Sequence, residues 1–188
     1  MSILTYTELV KLVERGVITG VKPEQINAAS IDITLGDNIW VETVPAQPAV
    51  HLAAKEIPMM RLFNMVEQGD FHFRPGGFCL AASRETFNLP TNAPEFGAIT
   101  AEYKLKSSLA RAGLGALLAM HCDPGWHGSV LTLELVNHLR NHTLVLTPGQ
   151  RIGQIIFHRG TPVPDHASYA VRGQYCGDLS ATPSKGVR

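Results

Sequence analysis

Residues 130–136 read VLTLELV, a stretch in which leucines alternate with Thr132 and Glu134. Because successive side chains of a β-strand point to opposite faces, this period of two predicts a strand whose leucines face a core. Glu134 then lies on the other face, together with Thr132. The alternation alone favours an exposed Glu134 on the wet face of an edge strand.

Short strands recur on both sides of this stretch. Apolar alternation and short apolar runs predict strands at residues 30–35, 78–81, 144–146 and 152–157, with proline–glycine turns next to several of them. Many short strands at regular spacing are typical of an all-β barrel or jelly roll. We therefore expect a mainly β fold.

The clearest helix signal lies near the beginning of the sequence. Thr5 and Glu8 form a potential capping box, apolar residues follow on one helical face, and Gly16 is a stop signal. This pattern predicts one short amphipathic helix. Residues 107–118 are ambiguous, since they fit either one helical turn or two between strands.

The composition fits one globular domain over residues 1–188. Hydrophobic residues make up 45% of the chain and charged residues 17%, which is typical of a packed core and too apolar for a disordered chain. The segment after Pro162 is polar and rich in glycine, proline and serine. We expect a mobile tail from about residue 163, unless a ligand or a neighbouring subunit holds it.

The charge balance and the apolar pattern exclude several classes of protein. Sixteen Lys and Arg residues match sixteen Asp and Glu residues, which argues against broad binding to nucleic acid. The longest apolar stretch, around residues 114–120, is too short to span a membrane, which takes about 20 residues. Without a signal-peptide pattern either, we expect a cytoplasmic protein with no nucleic-acid or membrane partner.

Two groups of residues have the chemistry of metal ligands. His138 and His142 have the spacing of one helical turn, but they lie between two predicted strands, where that spacing means little. A denser cluster contains His121, Cys122, Asp123 and His127. For this cluster a polar turn beside a pocket is favoured over a metal site. The sequence lacks the HxE and PCxxC pattern of zinc deaminases.

The six residues KSSLAR place two cations around two hydroxyl groups. Lys106 and Arg111 flank Ser107 and Ser108. If the segment turns tightly, these side chains could converge on phosphate oxygens. A capped helix start with solvated charges explains the same residues equally well.

A turn of sequence DPGWHG begins at Asp123 and leads into the strand that carries Glu134. If the strand places this carboxylate among apolar residues, its pKa rises and it can transfer protons near neutral pH. The turn and the strand are therefore a second candidate for a reactive site.

Together these segments resemble the dCTP deaminases of the dUTPase-like superfamily. Six matching motifs occur in the order of that family, at residues 25–36, 75–90, 106–114, 123–137 and 148–154, and at Tyr175 followed by residues 183–185. The resemblance implies a distorted β-barrel or jelly roll with a short N-terminal helix. It also implies a homotrimer whose active sites lie between subunits.

The activity that the resemblance implies is hydrolysis of the 4-amino group of dCTP, which gives dUTP and ammonia and supplies pyrimidine deoxynucleotides. No zinc is expected, and Mg²⁺ is expected to bind through the nucleotide triphosphate. A dUTPase, or a bifunctional enzyme that also splits dUTP to dUMP and pyrophosphate, is one alternative. A non-catalytic nucleotide-binding regulator is the other, because fold alone does not determine function.

Roles follow from the matching motifs. Glu134 would be the general base and acid, while Ser107, Arg111 and the carbonyl of Ala119 would position the attacking water. Further positions of the chain match substrate-binding positions of the family, namely Lys106, Ser108, His121, Asp123, Tyr169, Gln174 and Asp178. Among these, Lys106 and Ser108 would hold phosphates, and Asp123 would bind the 3′-hydroxyl of the deoxyribose.

The chain differs from the family pattern at positions that matter. The segment from Asp123 to Glu134 is one residue longer, and a one-residue shift in a strand moves every side chain to the other face. Glu134 therefore reaches the pocket only if a β-bulge absorbs the extra residue. Gln174 and Asp178 stand where the family tends to have Lys and Gln, so the preferred substrate could be a modified cytosine nucleotide.

Overall fold

The computed structural model describes residues 2–44, 49–117 and 121–186, and it is mainly β. The helices are α1 Tyr6–Glu14, α2 Met65–Gln68, α3 Ser107–Arg111 and α4 Tyr169–Arg172. The strands are β1 Ser2–Ile3, β2 Ile18–Thr19, β3 Ile31–Glu42, β4 Met60–Asn64, β5 Phe71–Phe73, β6 Phe78–Asn88, β7 Ala98–Leu105, β8 Leu114–Ala116, β9 His121–Cys122, β10 His127–Asn137, β11 Leu144–Leu146 and β12 Arg151–Gly160.

The largest sheet has the strand order β8-β10-β6-β3-β12-β7-β9, with each neighbouring pair antiparallel. Strands β1, β2 and β4 pair with β12, β6 and β3, and β5 forms a separate pair with β11. Every strand predicted from the sequence is present, and most are longer than the pattern indicated. The reason is that the ends of the strands carry polar residues that backbone hydrogen bonds still hold in the sheet.

The core fills the inner face of this sheet. Leu133 and Leu135 of β10 are fully buried, as are Ile33 of β3 and Phe157 of β12. Helix α1 packs against the same core through buried leucines. The capping box at its start is present, because the backbone N–H of Thr5 donates to Glu8 Oε2 at 3.0 Å.

The ambiguous block after Lys106 contains one short helix followed by a short strand. Residues 107–111 form α3, and Gly113 then takes a left-handed conformation with φ of +89°. That turn allows the chain to enter β8, which pairs with the last residues of β10. Strand β10 is therefore an interior strand, with β6 on one side and β8 on the other, where the sequence pattern favoured an edge.

The pairing of β10 with β6 contains a β-bulge, which the family resemblance requires if Glu134 is to reach the pocket. Between His127 and Ser129 the partner strand advances by one residue while β10 advances by two, so Gly128 is the extra residue. Its φ of +63° lies in the left-handed region that favours glycine. A second irregularity follows before Thr132. Beyond it, Glu134 lies opposite Leu80 and on the face away from the core leucines.

The segment from residue 163 to residue 186 crosses the outer face of the sheet. The indole N–H of Trp126 donates to the Tyr175 carbonyl at 2.7 Å, and that of Trp40 donates to the Ala181 carbonyl at 2.9 Å. The backbone N–H of Val130 donates to the Asp178 carbonyl at 2.9 Å. The mobility expected for this tail stays a prediction. None of the helices in the described ranges is long and apolar enough to cross a bilayer.

Candidate active site

A cavity of about 470 Å³ lies between the outer face of β10 and the tail. Its wall is mostly apolar and aromatic, and the contributing side chains include Met60, Phe78, Leu80, Trp126 and Val130. Two carboxylates, Glu134 and Asp178, are among its described lining residues. An apolar pocket with a few converging polar groups is the usual form of a small-molecule site.

Glu134 is the most unusual polar group of this cavity. Its Oε2 atom is buried and has no hydrogen-bond partner among the described residues. Burial raises the pKa of the Glu134 carboxyl, and a hydrogen bond with its own backbone lowers that pKa by a smaller amount. A desolvated carboxylate with one unpartnered oxygen is well suited to accept a proton from a bound water or amine.

His121 and Asp123 lie at the rim of the cavity. His121 contributes to the lining, and its Nε2 lies 3.3 Å from Asp123 Oδ1. Its Nδ1 lies 4.0 Å from Glu102 Oε1. Asp123 is not a lining residue, and more than half of its side chain is exposed. Both residues are therefore close enough to the cavity to contact a ligand that extends out of it.

The tail provides the opposite wall of the cavity. Tyr169 and Asp178 line it, as do Tyr175 and Ser184. Both oxygens of Asp178 accept hydrogen bonds from Lys185 Nζ, at 2.8 and 3.1 Å.

Lys185 joins three parts of the tail. Besides binding Asp178, its ammonium group donates to the Gln174 carbonyl at 2.9 Å and lies 4.9 Å from the centre of the Tyr175 ring. Gln174 contributes this carbonyl to the cluster and is not a lining residue of the cavity. The ammonium group of Lys185 thus holds Gln174, Tyr175 and Asp178 together within the tail.

The residues of the KSSLAR segment lie elsewhere on the same chain. Lys106 is bound to the buried Asp32, and Ser107, Ser108 and Arg111 are exposed on α3. None of the four lines the cavity. Strand order explains the separation, since Lys106 follows β7 and three strands stand between β7 and β10 in the sheet. Ala119 lies outside the described residues.

Sequence reasoning missed several residues of the cavity. Ile57 precedes β4 and Met60 is its first residue. Neither belongs to a sequence motif, and the sequence carries no signal that places them at the cavity. Trp126 was inside the recognised turn, and its stacking on Phe87, with ring centres 5.4 Å apart, explains why the turn needs an aromatic residue. Thr132 could have been found, because it shares a strand face with Glu134.

The family model "dCTP deaminase-like" matches residues 3–160, more than half of the sequence. The chain belongs to the dCTP deaminase-like family. A "dCTP deaminase, dUMP-forming" of Methanopyrus kandleri is 33% identical over 193 residues, which cover 98% of this chain and 96% of the relative. A protein of the same name from Mycobacterium leprae (strain TN) is 31% identical and covers 85% of this chain and 82% of the relative.

A solved structure supports the fold of this family member. The 2′-deoxycytidine 5′-triphosphate deaminase from Agrobacterium tumefaciens matches 84% of this chain with a TM-score of 0.61 and 17% sequence identity. This chain spans about half the length of that structure, 48% of it. The prediction of a mainly β, deaminase-like fold is confirmed.

Proposed function

We propose that this protein is a dCTP deaminase that uses Glu134 to hydrolyse the 4-amino group of the cytosine ring. The observation that carries the proposal is a buried carboxylate oxygen without a described partner, inside a mostly apolar cavity of a dCTP deaminase-like chain. The names of the relatives support the same substrate, a deoxycytidine nucleotide.

The chemistry requires a general base at this place. Water is a poor nucleophile toward C4 of cytosine, so a group must remove its proton as it attacks. Glu134 would pass that proton to the ring nitrogen, and it would then take the second proton from the newly added hydroxyl group and pass it to the departing amine, which leaves as ammonia. General acid–base help accounts for about 10²–10⁴-fold in rate. The remaining acceleration must come from placing the water, the role we propose for Ser107 and Arg111.

The product proposed here differs from the dUTP expected from the sequence. The relatives from M. kandleri and M. leprae are named for dUMP, which favours the bifunctional alternative. In that reaction one water replaces the 4-amino group and a second water cleaves the bond between the α- and β-phosphates. The products are ammonia, pyrophosphate and dUMP.

We further propose that the complete site forms between subunits of a homotrimer. Support comes from the separation of the two halves of the predicted site. Glu134 lies in the cavity, whereas Ser107 and Arg111 are exposed on α3 outside it. An exposed helix of one subunit could bring its hydroxyl and guanidinium groups to the cavity of another.

Mg²⁺ is proposed to arrive with the nucleotide. Within the described ranges, no group of three His, Cys, Asp or Glu side chains is placed to hold a metal ion. The ion would therefore be held mainly by phosphate oxygens and water, as Mg²⁺ often is in nucleotide sites. Its contribution would be to neutralise charge on the phosphates.

Purified protein incubated with dCTP and Mg²⁺ is expected to release ammonia and to accumulate dUMP and pyrophosphate in equal amounts. Chromatography of the nucleotides and a separate ammonia assay measure this outcome. Accumulation of dUTP would support deamination alone, and turnover of dUTP but not of dCTP would support a dUTPase. No turnover of either nucleotide would contradict the proposed activity and favour a regulator.

The turnover rate is expected to fall as the pH drops below a midpoint higher than the ordinary glutamate pKa of about 4.3. Glu134 must be ionised to act as a base, and burial raises the pKa of its carboxyl, so protonation begins at a higher pH than for an exposed glutamate. The logarithm of kcat/KM, which governs the turnover rate at low dCTP concentration, would show this midpoint when plotted against pH, because kcat/KM reports the pKa of the base in the free enzyme. A kcat/KM that stays constant down to about pH 4.3 would contradict the assignment of the base.

A further inference from the structure

Asp32 is a buried carboxylate that binds two cations at once. Only 1% of its side chain is exposed. Its Oδ1 lies 2.7 Å from Lys106 Nζ, and its Oδ2 lies 3.2 Å from Nη1 of Arg151. Oδ1 also accepts a hydrogen bond from the Asn27 side chain at 3.0 Å. One carboxylate therefore holds two positive groups next to each other.

These contacts use only some of the hydrogen-bond donors of the two cations. Lys106 and Arg151 have 30% and 46% of their side chains exposed. An ammonium group has three donors and a guanidinium group five, and Arg151 also donates to the Glu24 carbonyl at 3.3 Å. The two cations share one carboxylate, so each keeps donors that can bind a further anion from the solvent side.

The backbone holds this cluster in a fixed geometry. Arg151 begins β12 and Asp32 lies in β3, and these two strands are paired. Lys106 is connected to β12 as well, because its backbone N–H donates to the Ile152 carbonyl at 3.2 Å. Two cations that a buried acid has already ordered lose less side-chain entropy when they bind an anion.

We propose that Arg151 is a second phosphate-binding cation beside Lys106, and that Asp32 is the positioning residue for both. The inference rests on the proposed function, in which the ligand is a nucleoside triphosphate and Lys106 holds phosphate. A guanidinium group matches phosphate oxygens in a bidentate way, and an ammonium group adds a compact charge. Together they can hold neighbouring phosphates of one chain.

The strand β12 supplies a matched control for this proposal. Arg159 lies on the same strand as Arg151, has 45% of its side chain exposed, and also pairs with a carboxylate, Glu8, at 3.0 Å. Arg151→Met is expected to weaken the binding of dCTP and of inorganic tripolyphosphate about tenfold, the effect of losing one charged hydrogen bond. Arg159→Met is expected to change either affinity by less than about twofold. Titration calorimetry of the full-length variants measures both ligands.

The two ligands separate a failure of this inference from a failure of the proposed function. If tripolyphosphate binding depends on Arg151 but dCTP is not turned over, Arg151 is a phosphate-binding residue and the deaminase proposal fails. If dCTP is turned over and the two arginine variants bind both ligands equally, the assignment of Arg151 is wrong.

The role of Asp32 has its own control in Glu85. Glu85 is also buried, but its carboxylate accepts hydrogen bonds from Gln25 and Thr34 and pairs with no cation among the described residues. Asp32→Asn is expected to raise KM for dCTP about tenfold with little change in kcat, since it disorders a binding group. Glu85→Gln is expected to lower Tm without that increase in KM. Equal effects of the two variants on KM would show that Asp32 has only a structural role.

Discussion

Glu134→Gln is expected to reduce the turnover of dCTP by at least about 100-fold, the lower limit for the loss of a general base. The amide keeps the shape of the carboxyl group but cannot take a proton from water. The affinity for dCTP is expected to stay within about threefold, because uniform binding of the substrate does not require the proton transfer. Single-turnover rates and calorimetry with dCTP measure the two quantities.

Stability measurements distinguish a chemical effect from a folding defect. At pH 8 the Tm of Glu134→Gln should be no lower than that of the wild type. Burial of the carboxylate charge is unfavourable, as the raised pKa of Glu134 shows, and a neutral amide avoids it. Glu95→Gln removes an exposed carboxylate that does not line the cavity, and it is expected to leave turnover unchanged. A Glu134→Gln variant that keeps turning over dCTP would show that another group is the base.

The alternation around Glu134 was sufficient to predict its strand and its face, but not its environment. The pattern favoured a wet edge strand, and this was wrong for two reasons of tertiary structure. The short strand β8 pairs with the free side of β10. The polar tail then covers the outer face, where Thr182 N–H donates to Thr132 Oγ1 at 3.1 Å. Neither contact leaves a trace in the residues next to Glu134.

The KSSLAR segment shows a different limit of sequence reasoning. Its composition fitted a phosphate-binding group and a capped helix start with solvated charges equally well, and one or two helical turns between strands were expected. The structure adds that Lys106 binds Asp32, which lies 74 positions away in the sequence. Spacing within a motif gives no information on a partner at that distance. The β-bulge at Gly128 was a stated condition of the prediction, and only the strand register could establish it.

Mixing two inactive variants is expected to restore activity if the site lies between subunits. Glu134→Gln loses the cavity base, and Arg111→Met loses the guanidinium group of α3. Each variant alone should retain no more than about 1% of wild-type turnover. When equal amounts of the two chains are assembled together, about a quarter of the wild-type activity should return. Half of all chains carry an intact Glu134, and half of their neighbours carry an intact Arg111.

The control for this experiment combines two variants of the same helix. Ser107 and Arg111 both lie on α3, so one subunit would deliver both groups to a given site. Every chain in a mixture of Ser107→Ala with Arg111→Met lacks one of these two groups, so no site of the mixture has both groups intact. The mixture should stay as inactive as its components. If the first mixture also stays inactive after subunit exchange, Glu134 and Arg111 must act within one chain, and the proposed site between subunits is wrong.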